Sequence, residues 1–266
     1  MSSWRPFEGE WGLILGASSG FGAAAARELA RHGMSILGVH LDRKATLPLA
    51  HAVAGDVRAA GAQAEFFNVN AADDEKRAQV CARASELLEG RPLRLLMHSL
   101  AFGTLKAFVS DQAVQRTTKA QLEMTLDVMA HSLVYWVQDL SAAGLIGEGS
   151  RVFAMTSSGG TRAMPFYGAV SAAKAALESH VRQLALELGG AGVAVNAIRA
   201  GVTDTPASRK IPVAELMFQE ARRRNPANRL TTPEDVAGAL VALSLPGSRW
   251  ISGNVIGVDG GEDVTG

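Results

Sequence analysis

Trp11-Gly12-Leu13-Ile14-Leu15-Gly16-Ala17-Ser18-Ser19-Gly20-Phe21-Gly22 carries more architectural information than any other segment of this chain. Its first five residues are a short apolar run of strand length. The three glycines then make a turn, and an alanine-rich amphipathic pattern over 22–31 predicts a helix. Strand, glycine turn and helix in that order form a cradle for a phosphate group. Gly16 permits the tight turn, Gly20 lets a pyrophosphate approach the backbone, and Gly22 lets the helix pack closely on the strand. The helix N-terminus adds unpaired N–H groups and a positive dipole end, flanked by Ser18, Ser19 and Phe21.

The same alternation continues outward from this unit. Strands are predicted at 35–41, 64–69, 93–98, 151–156, 193–198 and 254–258. Helices are predicted at 47–60, 73–89, 119–142 and from Tyr167 to about 188, with a last one opening at Thr232-Pro233-Glu234-Asp235. Seven strands alternating with helices predict an α/β fold, one doubly wound parallel sheet with helices on both faces. In such a sheet the end of strand two meets an adenosine ribose. An acid directly at that end would favour the free 2′-hydroxyl of NAD. Here His40 stands at the strand end with Arg43 and Lys44 just beyond, cations suited to a 2′-phosphate, while Asp42 keeps the other choice open.

Composition narrows the class. The chain has 266 residues, 47% of them apolar, enough for a large core. Lysine plus arginine and aspartate plus glutamate number 26 each, so nothing suggests a nucleic-acid partner. Cys81 is the only cysteine, which excludes an intrachain disulfide and fits a reducing, cytoplasmic setting. Met1-Ser2-Ser3-Trp4-Arg5-Pro6 lacks the basic and apolar runs of a signal peptide, and no apolar run reaches membrane-span length. The six histidines (32, 40, 51, 98, 131 and 180) are scattered, so no metal site is expected.

A second segment, Met155-Thr156-Ser157-Ser158-Gly159-Gly160 through Pro165 to Phe166-Tyr167-Gly168-Ala169-Val170-Ser171-Ala172-Ala173-Lys174, carries the candidate chemistry. Lys174 follows Tyr167 by seven residues, two helical turns, so both share one helix face roughly 10 Å apart along the axis. A phenol near a fixed ammonium is a candidate proton donor, because the cation favours the phenolate and lowers its pKa. Only Tyr135 and Tyr167 are tyrosines, and Tyr135 sits in an apolar helix stretch that reads as core or subunit contact. His98, ending a buried strand, and Cys81, on a helix, read as packing residues.

Taken together, these residues resemble the short-chain dehydrogenase/reductase family over essentially the whole chain. The matching features are Gly16–Gly22, Asn68-Val69, Tyr167/Lys174, Val195-Asn196-Ala197-Ile198 with Gly201 and Thr205, and Val255 to Gly261. The chain departs from the mainstream family in several places. Ser171 stands where lysine is usual, His98-Ser99-Leu100-Ala101-Phe102 replaces an Asn-Asn-Ala-Gly run, Met129 replaces a relay asparagine, and Leu15 replaces a threonine. The Y-x6-K spacing and the His-Ser-Leu-Ala-Phe run instead resemble the enoyl-acyl-carrier-protein reductases, and the intact glycine turn is similar to their NADPH-dependent branch. Ser157 stands where many of these have a second tyrosine, and Thr156 falls where the mainstream family has its catalytic serine.

The resemblance implies a single Rossmann-type domain over 1–266 that reduces a trans-2-enoyl thioester with NADPH, NADH being the alternative cofactor. Tyr167 would stabilise the enolate oxygen, Lys174 would bind the nicotinamide ribose, and Ser157 or Thr156 would add a donor. It implies nucleotide contacts from Gly16, Ser18, Ser19, Gly20, Phe21, Gly22, His40, Arg43, Lys44, Asn68, Val69, Ser99, Leu100, Ala101, Lys174, Gly201, Thr203 and Thr205. Acyl carrier protein is the implied partner and a homotetramer the implied assembly. A 3-oxoacyl-thioester or general carbonyl reductase is the alternative activity, and a non-catalytic NAD(P)-binding sensor a second alternative. The charged segment at about 201–229 reads as a substrate lid. Ile211, Val213, Leu216, Met217 and Phe218 are its expected apolar wall, and Arg209, Lys210, Arg222, Arg223 and Arg224 its carrier-facing charge.

Overall fold

The computed structural model describes residues 4–265; Met1–Ser3, part of the N-terminal stretch weighed above as a signal, and Gly266 lie outside the described residues. Seven strands form one parallel sheet. They are β1 (Trp11–Leu15), β2 (Ser35–His40), β3 (Ala64–Asn68), β4 (Leu95–His98), β5 (Arg151–Ser157), β6 (Ala194–Ala200) and β7 (Val255–Val258). The spatial order is β3-β2-β1-β4-β5-β6-β7, so the winding reverses between β1 and β4. That reversal opens a crevice at the carboxyl ends of the two central strands, the usual ligand position in an open α/β sheet.

Alternate side chains of the central strands enter two separate cores, which is why these strands read as unbroken apolar runs. Leu13, Leu15, Leu96, Val152 and Ala154 face one way, packing on α3 (Asp74–Leu88), α5 (Ser132–Ala142) and α6 (Gly168–Leu188). Ile14, Leu95, Met97, Phe153 and Met155 face the other way, onto α1 (Gly20–Arg31), α2 (Leu47–Ala59) and α8 (Pro233–Ser244). The remaining helices are α4 (Lys119–Leu126) and α7 (Ala214–Arg224).

Two expectations about helices are corrected. The helix predicted over 119–142 is interrupted by a wide π turn, Asp127–His131, between α4 and α5. Ser132 Oγ donates to the Val128 carbonyl at 2.7 Å, the kind of side-chain competition for a helix carbonyl that distorts the ladder. Tyr167 is not inside α6 but caps it, with φ −98° and ψ 1°. No helix among the described residues is long and apolar enough to cross a membrane.

Candidate active site

The crevice continues into a cavity of about 300 Å³ that collects residues from both halves of the chain. Phe21, Ser99, Leu100, Ala101, Gly201, Thr203 and Thr205 line it, as do Thr156, Ser157, Tyr167 and Lys174. The other side of the groove is built at the ends of β1, β2 and β3. Gly16 has φ +90°, and a Cβ there would collide with the Ser99 carbonyl, so only glycine lets these two loops meet at the switch point. Gly22 lies in the first turn of α1, against the Gly16 carbonyl.

The N-terminus of α1 suits an anion. Ser19 is the N-cap residue but makes no side-chain capping bond, and the first turn holds no acid. Gly20 has φ +53°, and a Cβ there would sit 3.6 Å from the Thr205 methyl, filling the gap between α1 and the loop after β6. These residues therefore fit the diphosphate of a dinucleotide.

At the end of β2 the side chains arrange differently from expectation. His40 is buried and its Nδ1 lies 2.9 Å from Asp42 Oδ2. Burial opposes ionisation of Asp42, yet the nearby Thr46 and Ser18 hydroxyls and His40 hold its carboxyl below the usual range. Burial also lowers the His40 pKa, the Asp42 carboxylate acting against it. The Asn68 side chain holds the Asp42 backbone, accepting from its N–H at 2.8 Å and donating to its carbonyl at 3.0 Å. Val69 N–H binds the His40 carbonyl at 2.8 Å. Arg43 and Lys44 are exposed and make no ion pair among the described residues. The sequence left Asp42 as an open alternative; what turns it inward is partly local, from His40, and partly distant, from Ser18 after β1 and Asn68 at the end of β3.

The reactive end of the cavity is formed by β5 and the start of α6. Phe166 has φ +63°, a left-handed conformation that costs a bulky residue about 1–3 kcal/mol and persists only where surroundings impose it. It turns the chain so that Tyr167 enters the cavity as the α6 cap. Tyr167 is 9% exposed. Burial raises its pKa, and the adjacent Ser157 hydroxyl pulls it partly back. The expected lowering by Lys174 is therefore corrected. The Lys174 ammonium instead donates to the Met155 carbonyl at 2.7 Å, and burial lowers its own pKa to about 8, Glu178 opposing the shift. Thr156 and Ser157, both candidates for the second donor, are separated by their partners. Thr156 Oγ1 donates to Glu178 Oε1 at 2.7 Å, whereas Ser157 Oγ accepts from the Gly159 N–H at 3.1 Å and stays beside Tyr167.

His98 is completely buried, as expected of a packing residue, with Nε2 at 2.9 Å from Ser132 Oγ. Burial, and then the Lys174 charge, push its pKa down to about 3. The cavity wall is apolar, with Phe102, Leu105, Met129, Met164, Val170, Ile211 and Met217. Of the predicted lid wall, Ile211 and Met217 line it; Val213, Leu216 and Phe218 do not, Leu216 being exposed and Phe218 buried. An amphipathic α7 can present only one stripe inward, which numbering alone did not assign. Arg209, Arg223 and Arg224 are paired with Asp204, Glu220 and Glu262, so the segment is less cationic than its composition suggested.

Comparison with known proteins identifies the family. The sequence pattern of the family described as "Enoyl-(Acyl carrier protein) reductase" matches residues 16–262. The chain belongs to that family. Among curated enoyl reductase relatives, "Enoyl-[acyl-carrier-protein] reductase [NADH] 2" of Rhizobium meliloti (strain 1021) is 33% identical over 176 residues. That match spans 65% of this chain and 63% of the relative, less than two thirds of its length. "1-cyclohexenylcarbonyl-CoA reductase" of Streptomyces collinus is 31% identical over 260 residues, 95% of this chain and 86% of the relative. The solved enoyl-[acyl-carrier-protein] reductase (NADH) of Aquifex aeolicus VF5 superposes with a TM-score of 0.83 at 26% identity, covering 98% of each chain. Membership of the enoyl reductase family thus accounts for the seven-stranded parallel sheet.

Proposed function

We propose that this chain is an NAD(P)H-dependent reductase of trans-2-enoyl thioesters, folded as one domain over 1–266. The observation that carries this reading is the buried Tyr167 phenol at the end of an apolar, methionine-rich cavity in a chain of the enoyl reductase family. When bound, the nicotinamide supplies the hydride that reaches the β-carbon. As charge grows on the thioester oxygen, Tyr167 donates a hydrogen bond to it, and Ser157 assists as the second hydroxyl. Burial keeps the phenol protonated through neutral pH, so the donor is in place before charge develops. Lys174, two turns along the same helix, is the residue we assign to the nicotinamide-ribose hydroxyls. Met129, Met164 and Met217 offer an adaptable wall for an acyl chain.

Two features bear on the nucleotide. The inward Asp42 carboxylate favours a free 2′-hydroxyl and hence NADH, as do the names of the enoyl reductase relatives. Arg43 and Lys44, adjacent and unpaired, are what supports NADPH. On the acyl side, most relatives are named for a carrier-protein substrate, which favours acyl carrier protein as partner. The relative aligned over nearly the whole chain is named for a coenzyme A substrate. A lid at about 201–229, cytoplasmic location and a homo-oligomer, with a tetramer favoured by the family resemblance, belong to the same reading. Exposed Trp250, Ile251 and Leu186 are available for subunit contact.

The test is a cofactor-absorbance assay offering NADH or NADPH with crotonyl and acetoacetyl thioesters, on carrier protein and on coenzyme A. Crotonyl turnover is expected to dominate. Preferred acetoacetyl turnover would move the assignment to a 3-oxoacyl-thioester reductase, for which Ser157 beside Tyr167 is the supporting feature. Binding without turnover of either would leave a sensor.

A further inference from the structure

We propose that Glu178 is a positioning residue of this site, committing the Thr156 proton to α6 and offsetting the buried Lys174 ammonium. The inference rests on the assignment of Lys174 to the nucleotide made above. Thr156 Oγ1 donates to Glu178 Oε1 at 2.7 Å, so the Thr156 hydrogen is used on the helix, and Ser157 is left as the hydroxyl beside Tyr167. Glu178 lies one turn beyond Lys174 on α6, on the same face. The 158–160 turn covers both, since a Cβ on Gly160 would lie 3.4 Å from Glu178 Oε1 and 3.4 Å from Lys174 Cβ.

Lys174 is 6% exposed. The charged and titratable groups around it are few. Glu178 faces it from its own helix and His98 from β4, and Tyr167 lines the same cavity. His98 is neutral well below physiological pH, Tyr167 is protonated, and Arg182, one turn past Glu178, is exposed. Among the described residues, Glu178 is the one group whose charge favours the ammonium form of Lys174. An ammonium offers three donors and no acceptor, the form suited to vicinal ribose hydroxyls. Loss of the Glu178 charge would let Lys174 deprotonate at lower pH, and nucleotide affinity would fall with it.

The experiment measures NADH dissociation constants from pH 6 to 9.5 by nucleotide fluorescence, a readout independent of turnover. Glu178→Gln keeps a hydrogen-bond acceptor for Thr156 but removes the charge. Its alkaline limb is expected about one pH unit lower, roughly a tenfold weaker Kd at the alkaline end with near-normal binding at pH 6. Thr156→Val removes the hydrogen bond but keeps the carboxylate, and its alkaline limb is expected to stay in place. Glu178→Asp, with charge retained, should track the unmodified protein and serves as the informative variant if the glutamine protein does not fold. An equal loss at every pH in Glu178→Gln, or a limb moved as far by Glu178→Asp or Thr156→Val, would overturn the proposal. Lys174→Ala separates the two inferences. If it binds NADH normally, the assignment of Lys174 fails; if it binds weakly while Glu178→Gln is unshifted, only the role of Glu178 fails.

Discussion

Helices α1 and α8 pack against one another on one face of the sheet, yet their N-termini are finished in opposite ways. The start of α8 is closed by its own side chains. Thr232 and Asp235 form a reciprocal capping box, Pro233 opens the helix, Glu234 and Asp235 complement the dipole, and Arg229 pairs with Asp235. The start of α1 has no such closure. Ser19 makes no side-chain bond and no acid follows in the first turn. The helix that only has to hold the fold satisfies its N–H groups internally, and the helix proposed to meet the nucleotide leaves them available. The start of α6 belongs to the second class, with Tyr167 as an unbonded cap behind the strained Phe166 and a buried ammonium two turns on.

The contrast can be broken first at α6. Tyr167→Phe should lower turnover by roughly 10²–10³, the effect of removing one preorganised donor, while NADH binding by fluorescence is unchanged. Equal turnover would remove Tyr167 from the mechanism.

Lys174→Met should trade function for stability. The ammonium is held at a pKa of about 8, against an ordinary 10.5, chiefly by burial. Below pH 8 the native state bears the full cost of the buried charge, and the cost fades as pH rises towards 10.5. At neutral pH the methionine variant should therefore gain up to about 3 kcal/mol, at 1.36 kcal/mol per pKa unit. That gain should shrink between pH 8 and 10.5 in urea titrations, and NADH binding should be lost. A destabilised variant would show that the bond to the Met155 carbonyl outweighs desolvation.

The contrast is sharpened by making α1 resemble α8. Ser19→Asp should cap the helix, raising stability by about 0.5–1 kcal/mol, and should weaken NADH about tenfold or more by placing a carboxylate at the proposed phosphate site. Thermal melts with and without nucleotide measure both effects. The smallest effect is expected at α8, where Thr232→Ala should cost about 1 kcal/mol of stability and leave the NADH dissociation constant within about twofold. A larger binding loss there would mean that the two helix ends are coupled.

Local pattern alone determined the alternation of strands and helices, the glycine cradle and the Tyr167/Lys174 pair. Each depends on a run or a spacing within one segment: a short unbroken apolar run reporting a strand buried on both faces, closely spaced glycines reporting a turn, and seven residues reporting two helical turns. Tertiary structure alone decided the rest. It turned Asp42 inward beside Ser18 and His40, left Arg43 and Lys44 outside, and widened the helix at Asp127–His131. It also gave the Thr156 proton to Glu178 and the Lys174 ammonium to the Met155 carbonyl. These outcomes depend on which atom from a distant segment comes within about 3 Å, and on how much water is excluded there. Neither quantity is carried by neighbouring letters, because the doubly wound sheet creates both only when its carboxyl edge is assembled.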